Sequence, residues 1–335
     1  LIFPGVRIWV AFPAERSLIG RAISYGILGG LVMKIKIVGD TSMDLSPAAQ
    51  KELGIPCVPF SIQFGETSKK DTTFENEELY AYNETHKQIA QTSAVNVGEA
   101  VEFFQKQKED ADQLFYVSIS SKLSSGVQNA SIAAEEVGGV TVYDSESFSL
   151  GIALLAFKAK ELADAGESDP QAIKAALDEY REHVVAQLLI DDLSFMARGG
   201  RCSKLLSCGA NVLKIHPVLI CKDGTLQVLK KFRGPMKKLG KKYVDETLAC
   251  FSEIDKSVVL VGYTSEKDAM VDDAVQALKD AGFEKVYVTK TNSTNACHSG
   301  PNSIGFAFLN SAKTKEKHEA LLTRIKNKFL KKKAE

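Results

Sequence analysis

From Met33 onward, short apolar runs alternate with stretches whose apolar residues recur at helical spacing. Lys34-Ile35-Lys36-Ile37-Val38 predicts a strand ending at Gly39-Asp40-Thr41-Ser42, and a short helix follows over 47–53 with Gly54 behind it. The same pattern gives a second strand over 57–64 and a helix over 75–84. Past Gln91-Thr92-Ser93 come a helix over 97–108, a buried strand over 114–117 and a helix over 130–137. A strand over 140–143, ending at Asp144-Ser145, leads into helices over 150–165 and 170–184. Strands that alternate with helices through short turns imply a doubly wound parallel sheet over 33–186. A ligand of such a sheet belongs beyond the carboxyl ends of its strands, where Asp40, Thr41, Ser42, Ser120, Ser121, Asp144 and Ser145 fall.

A second α/β unit is expected over 187–310. It opens with a strand over 188–190, the loop Phe195-Met196-Ala197-Arg198-Gly199-Gly200-Arg201 and a helix over 205–213. Strands over 217–221 and 225–231 flank Lys222-Asp223-Gly224, and Asp-Gly between two apolar runs is a strong hairpin signal. A basic helix over 236–251, a strand over 258–263, a helix over 267–281 and a strand over 285–289 follow. The turn Cys297-His298-Ser299-Gly300-Pro301 and a strand over 304–309 close the unit.

Both ends stand apart. Residues 1–32 carry an apolar run over 23–32 that is too short and glycine-rich to span a bilayer. Leu28-Gly29-Gly30 can be encoded by a run resembling a bacterial ribosome-binding sequence just upstream of the Met33 codon, so this stretch is expected to be translated leader or a disordered extension. Residues 311–335 hold nine Lys and Arg against three Glu. Leu321, Leu322, Ile325, Phe329 and Leu330 share one helical face there, so the basic C-terminal helix reads either as a transient membrane contact or as a solvated terminal helix packed on its own domain.

The 335 residues carry 42 basic and 42 acidic side chains, which removes any electrostatic argument for nucleic acid. Six cysteines without a Cys-x-x-Cys pair, and five scattered histidines, imply reduced thiols in a cytoplasmic protein with no metal centre and no cofactor.

Ser118-Ile119-Ser120-Ser121-Lys122-Leu123-Ser124-Ser125-Gly126 lies on the turn between a buried strand and a helix. A helix start leaves amide hydrogens unpaired and carries partial positive charge, so hydroxyls beside it suit an anion. Ser124 or Ser125 also serves as an ordinary N-cap, but five serines in eight residues exceed what a cap requires. Neither a Walker phosphate loop nor a Gly-x-Ser-x-Gly elbow is present.

Several ordered segments resemble one family. They are Gly39-Asp40-Thr41-Ser42-Met43-Asp44-Leu45, Gly54-Ile55-Pro56-Cys57-Val58-Pro59, Thr92-Ser93, the serine turn, Asp144-Ser145, Arg198-Gly199-Gly200-Arg201, Lys214-Ile215-His216-Pro217, Arg233-Gly234 and His298-Ser299-Gly300-Pro301. Together they are similar to the DegV family of bacterial fatty-acid-binding proteins. The resemblance implies two α/β domains, the second with a mixed sheet, and a long-chain fatty acid in a tunnel between them. It also implies that Thr92 and Ser124 hold the carboxylate with His298 close by, Ser93 and Ser121 being secondary polar candidates. The protein would be the carrier subunit of a fatty acid kinase, without catalysis of its own. Arg201 and Arg233 match basic positions that dock the separate ATP-binding subunit. Gly39 stands where the family usually has Thr, Asn302-Ser303 replaces a smaller pair, and the tail is longer than usual. Two rival readings remain: a serine hydrolase or acyltransferase using Ser124, His298 and Asp144, and a regulatory protein in which lipid is structural.

Overall fold

The computed structural model describes residues 33–86, 90–200 and 215–310. The expectations for 1–32, for Arg201 and the helix over 205–213, and for the basic tail lie outside the described residues.

The first sheet has four parallel strands: β1 (Ile35–Asp40), β2 (Cys57–Val58), β6 (Gln113–Ser118) and β7 (Val140–Asp144), in the order β2-β1-β6-β7. Its apolar runs are buried because helices cover them, as a parallel sheet requires. Helix α1 (Pro47–Leu53) follows β1 and is capped by Ser46 and Gly54. Helix α3 (Val97–Gln107) packs on α4 (Gly126–Val137), which also packs on β7.

The C-terminal sheet has six strands: β8 (Val184–Leu189), β9 (Ile215–Lys222), β10 (Thr225–Arg233), β11 (Ile254–Tyr263), β12 (Val286–Lys290) and β13 (Ile304–Asn310). They run in the order β10-β9-β8-β13-β11-β12, antiparallel except for β11–β12, so the sheet is mixed as expected. Asp223 and Gly224, with φ of 48° and 72°, make the tight hairpin turn that their sequence predicts. Helices α8 (Gly240–Leu248) and α9 (Ala269–Asp280) pack on each other, and residues of both join the core of this sheet.

Helix α5 (Leu150–Asp164) ties the two sheets together. Its first seven residues are all buried, and it packs on β1 and β6 on one side of the molecule and on β8 and β13 on the other. A helix apolar all round its first two turns must be enclosed. Gly151 permits the approach, since a Cβ there would lie 2.8 Å from that of Ala186. Helix α6 (Pro170–Arg181) packs against α5 and leads into β8.

The stretch expected as a loop from Phe195 starts as a short helix over Ser194–Arg198, and two further expectations need correction. The single strand over 57–64 is two strands, because Pro59 has no N–H for a ladder. β2 stays in the parallel sheet, while β3 (Ser61–Phe64) joins β4 (Thr67–Lys70) and β5 (Gln91–Ser93) in a separate antiparallel sheet next to α2 (Asn76–His86). The stretch holding Thr92 is thus a strand rather than a link to the following helix. The turn expected at 297–301 begins inside a helix, α10 (Ser293–Ser299), with His298 in its last turn. Its sequence has weak helix propensity, and tertiary hydrogen bonds at its first turn compensate.

Candidate functional site

The five serines of the turn after β6 divide their work. Ser118 donates to Asp40 (2.8 Å), and Ser120 donates across to the carbonyl of Gly224 at the hairpin tip (2.7 Å). Lys122 reaches the neighbouring Asp223 carbonyl (2.6 Å), so the turn and the hairpin are latched together. The amide of Ser121 donates to Asp144 Oδ1 (3.2 Å), and its exposed side chain is not among the cavity-lining residues described next. Ser124 accepts from the amide of Gly126 (3.2 Å) at the start of α4, while Ser125, the N-cap residue, makes no side-chain cap.

Ser124 and Ser125 open onto a cavity of about 390 Å³ between the ends of β6 and β7, the small sheet and the C-terminal sheet. Phe60, Ile119, Leu123, Phe148, Leu188 and Leu226 supply apolar wall, and Met196 of the short helix α7 (Ser194–Arg198) adds to it. Thr92 and Ser93 come from β5, Ser149 from the start of α5, and Thr294, Asn295 and His298 from α10. Among the described lining residues none is Asp, Glu, Lys or Arg. The volume lies within the usual range of about 300–1,000 Å³ for small-molecule sites.

Thr92 Oγ1 and His298 Nε2 are hydrogen-bonded at 2.8 Å, although the residues are 206 positions apart. Thr92 is not a helix cap: Asn96 and Glu99 form a complete capping box at the start of α3. Thr92, Ser93, Ser124 and His298 therefore meet at one cavity. Arg233 is exposed at the end of β10 and does not line it. Asp144 accepts from the amides of Ser121 and Glu146, so its carboxylate is engaged in its own turn while Ser124 and His298 face the cavity.

Three buried carboxylates stand behind the polar wall. Asp40 accepts from Ser42, Ser118 and Tyr116. Asp44 accepts from Ser149, Asn292 and Asn295, and Asp71 from Thr41 and Thr294. Burial disfavours their charged forms: it raises the Asp40 carboxyl, lifts Asp44 to about 7 and Asp71 to about 6. Sequence reasoning set Asp40 at a strand end and missed Asp71, Ser149 and Asn295, which carry no local motif. Among the described residues no cluster suits a metal ion, and no helix is long and apolar enough to cross a membrane.

A cavity with apolar walls and a cluster of hydroxyls around one imidazole suits an amphiphile with a small polar head. The family model described as "Uncharacterised protein, DegV family" matches residues 34–311. The chain belongs to the DegV family. A DegV domain-containing protein of Streptococcus pneumoniae is 28% identical over 272 residues, covering 81% of this chain and 96% of that one. A DegV family protein from Thermus thermophilus, whose structure is described for its fatty acid binding, is 26% identical with a TM-score of 0.72, over 83% of this chain and all of its own. DegV of Bacillus subtilis, described as a fatty acid binding protein, shares the fold with a TM-score of 0.71 at 23% identity, again over 83% of this chain and all of its own. Gly39 is matched by its surroundings: a Cβ there would lie 2.1 Å from Met43 Cε and 2.8 Å from the Val117 carbonyl. The Met43 side chain occupies that space.

Proposed function

We propose that this protein binds a long-chain fatty acid in the cavity, with the carboxylate among Thr92, Ser124 and His298 and with Ser93 beside them. The observation that carries the reading is the convergence of these side chains, led by the Thr92–His298 bond, at the polar side of an otherwise apolar cavity. The fatty acid binding described for the Thermus thermophilus relative supports it. Burying a sixteen-carbon chain contributes roughly 0.8 kcal/mol per methylene, or about 11 kcal/mol gross, enough to offset desolvation of one well-bonded carboxylate. Hydroxyls and imidazole orient the head without the fixed ion pair an arginine would impose.

The same reading makes the protein the carrier subunit of a fatty acid kinase. The bound carboxylate oxygen attacks the terminal phosphoryl group of ATP held by a separate subunit, an acyl phosphate forms and ADP leaves. Arg233 is an exposed cation outside the cavity, as a docking residue needs to be, and Arg201 is assigned to the same role from the family resemblance. Mass spectrometry of lipid extracted from the purified protein tests the binding step, and a stoichiometric fatty acid is the expected result. Thr92→Ala with Ser124→Ala should weaken fatty acid binding by about 1–3 kcal/mol, the cost of leaving a charged acceptor short of donors. Unchanged affinity would put the head elsewhere. Arg233→Ala should keep the lipid and lose partner-dependent phosphorylation, whereas wild-type rates would remove the docking role.

A further inference from the structure

Asp44 is fully enclosed and sits in the left-handed region, with φ of 59°. Ser149, the residue it faces, also has a positive φ, 49°. Neither is glycine, and two such residues meeting across one hydrogen bond mark a conformation that the surrounding structure imposes. The carboxylate is fully used. Oδ1 accepts from the backbone amide of Asn292 at 2.7 Å, and Oδ2 accepts from Asn295 Nδ2 at 2.8 Å and from the Ser149 hydroxyl. Asn292 immediately precedes α10, and Asn295 lies in its first turn, so one side chain grips the helix at two successive points. Asn295 is braced further by its bond to the Ser42 carbonyl (2.7 Å). One turn beyond Asn295 is His298, whose Nε2 meets Thr92. Ser149, Asn295 and His298 all line the cavity, whereas Asp44 does not.

We propose that Asp44 is the positioning residue of the head-group pocket: by joining Ser149 to the start of α10 from behind the wall, it aims Ser149, Asn295 and His298 at the ligand head. It never touches the ligand. The carboxylate gathers three donors from two elements that share no backbone pairing, the start of α5 and the start of α10, and makes them one surface. Asp71 does the same for Thr294 on a smaller scale, receiving Thr294 and Thr41 at 2.7 Å each. The hydrophobic wall formed by Phe60, Leu188 and Leu226 is held by other contacts. Loss of Asp44 therefore disturbs recognition of the head and leaves the hold on the tail intact.

This inference rests on the fatty-acid reading, and the test separates the two. Hexadecanoate and hexadecanol share a tail and differ at the head, so their affinity ratio reports head-group recognition alone. Wild-type protein should prefer hexadecanoate. Asp44→Ala should lower hexadecanoate affinity by about tenfold or more, the loss expected when a polar pocket loses its alignment, while hexadecanol changes by less than about twofold. Asp44→Asn keeps an acceptor for the Asn292 amide but turns an N–H toward Ser149 or Asn295, so its ratio should fall between the two. If Asp44→Ala does not fold cooperatively, the Asp44→Asn ratio carries the test. Parallel loss of both lipids, or an unchanged ratio, overturns the positioning role and leaves the fatty-acid reading in place. Wild-type protein that binds neither lipid overturns both.

Discussion

Gly199→Ala is a perturbation whose consequence can be worked from coordinates. Gly199 closes α7 with φ of −72°, a conformation alanine adopts freely, although the added methyl would lie 3.2 Å from the Phe195 carbonyl. That methyl would sit 2.4 Å from His298 Nδ1, whereas ordinary contact begins near 3.4 Å, so the imidazole must retreat by about 1 Å. Moving away from Gly199 by that amount disrupts the 2.8 Å bond from Nε2 to Thr92, which does not survive a displacement of this size in most directions. On the proposed reading the bound carboxylate is then left short of one aligned donor, which costs about 1–3 kcal/mol, so fatty acid affinity should fall by about 5- to 150-fold. Stability should fall as well, because the clash with His298 and the lost bond to Thr92 outweigh the about 0.4–1 kcal/mol of unfolded-state freedom that replacing a glycine removes. The measurement pairs titration of hexadecanoate with urea unfolding, and imidazole resonances report whether His298 has shifted. Wild-type affinity in Gly199→Ala with a displaced His298 would refute the claim that the Thr92–His298 pair holds the head.

Stability should depend on pH through the buried carboxylates. Asp44 and Asp71 are lifted by burial to about 7 and about 6 from 3.8, so between pH 4 and 7 the folded chain holds protons that the unfolded chain has released. Their contribution is full below about pH 4 and is lost as pH rises through 6 to 7. The stability of Asp44→Asn relative to wild type should therefore increase from pH 5 to pH 8 in urea titrations, and a pH-independent difference would contradict it. Gly224→Ala should destabilise by about 1–2 kcal/mol, since its φ of 72° disfavours a side chain and a Cβ would lie 2.6 Å from Ser120 Oγ. Combining it with Ser120→Ala should cost less than the sum, and full additivity would remove the latch from the explanation. A fluorophosphonate probe should leave Ser124 unlabelled, and covalent labelling there would restore the hydrolase reading.

The alternation of strands and helices was legible because β1, β6 and β7 are apolar runs bounded by Gly, Ser and Asp, and because Asp223-Gly224 has one favoured turn. β4 was not legible: Thr67-Ser68-Lys69-Lys70 has no apolar alternation, and its strand character comes from pairing with β3. Helix α10 escaped for a related reason. Ser293-Thr294-Asn295 is a sequence that prefers caps and turns, and it is helical because Asp71 and Asp44 take its side chains. Thr92, Ser124 and His298 stood out through family resemblance and local composition. Asp44 was visible in the same segment, but nothing along the chain reveals that its carboxylate meets residues 105 to 251 positions away. Gly199 was one glycine among several in a loop, and only the imidazole beside it gives it meaning.

The bond between Thr92 and His298 also has a direction. A neutral imidazole with Nε2 bare accepts the hydroxyl proton, leaving Thr92 with only lone pairs for a third group. A proton on Nε2 reverses the bond, so that Thr92 accepts from the ring and its own hydrogen is free to point at an anion. The threonine thus changes from acceptor to donor without moving an atom heavier than hydrogen. On the fatty-acid reading proposed above, a carboxylate placed at Thr92 would pair with the second arrangement, in which the hydroxyl donates. One proton on the ring thereby sets the polarity of a neighbouring group that carries no charge of its own.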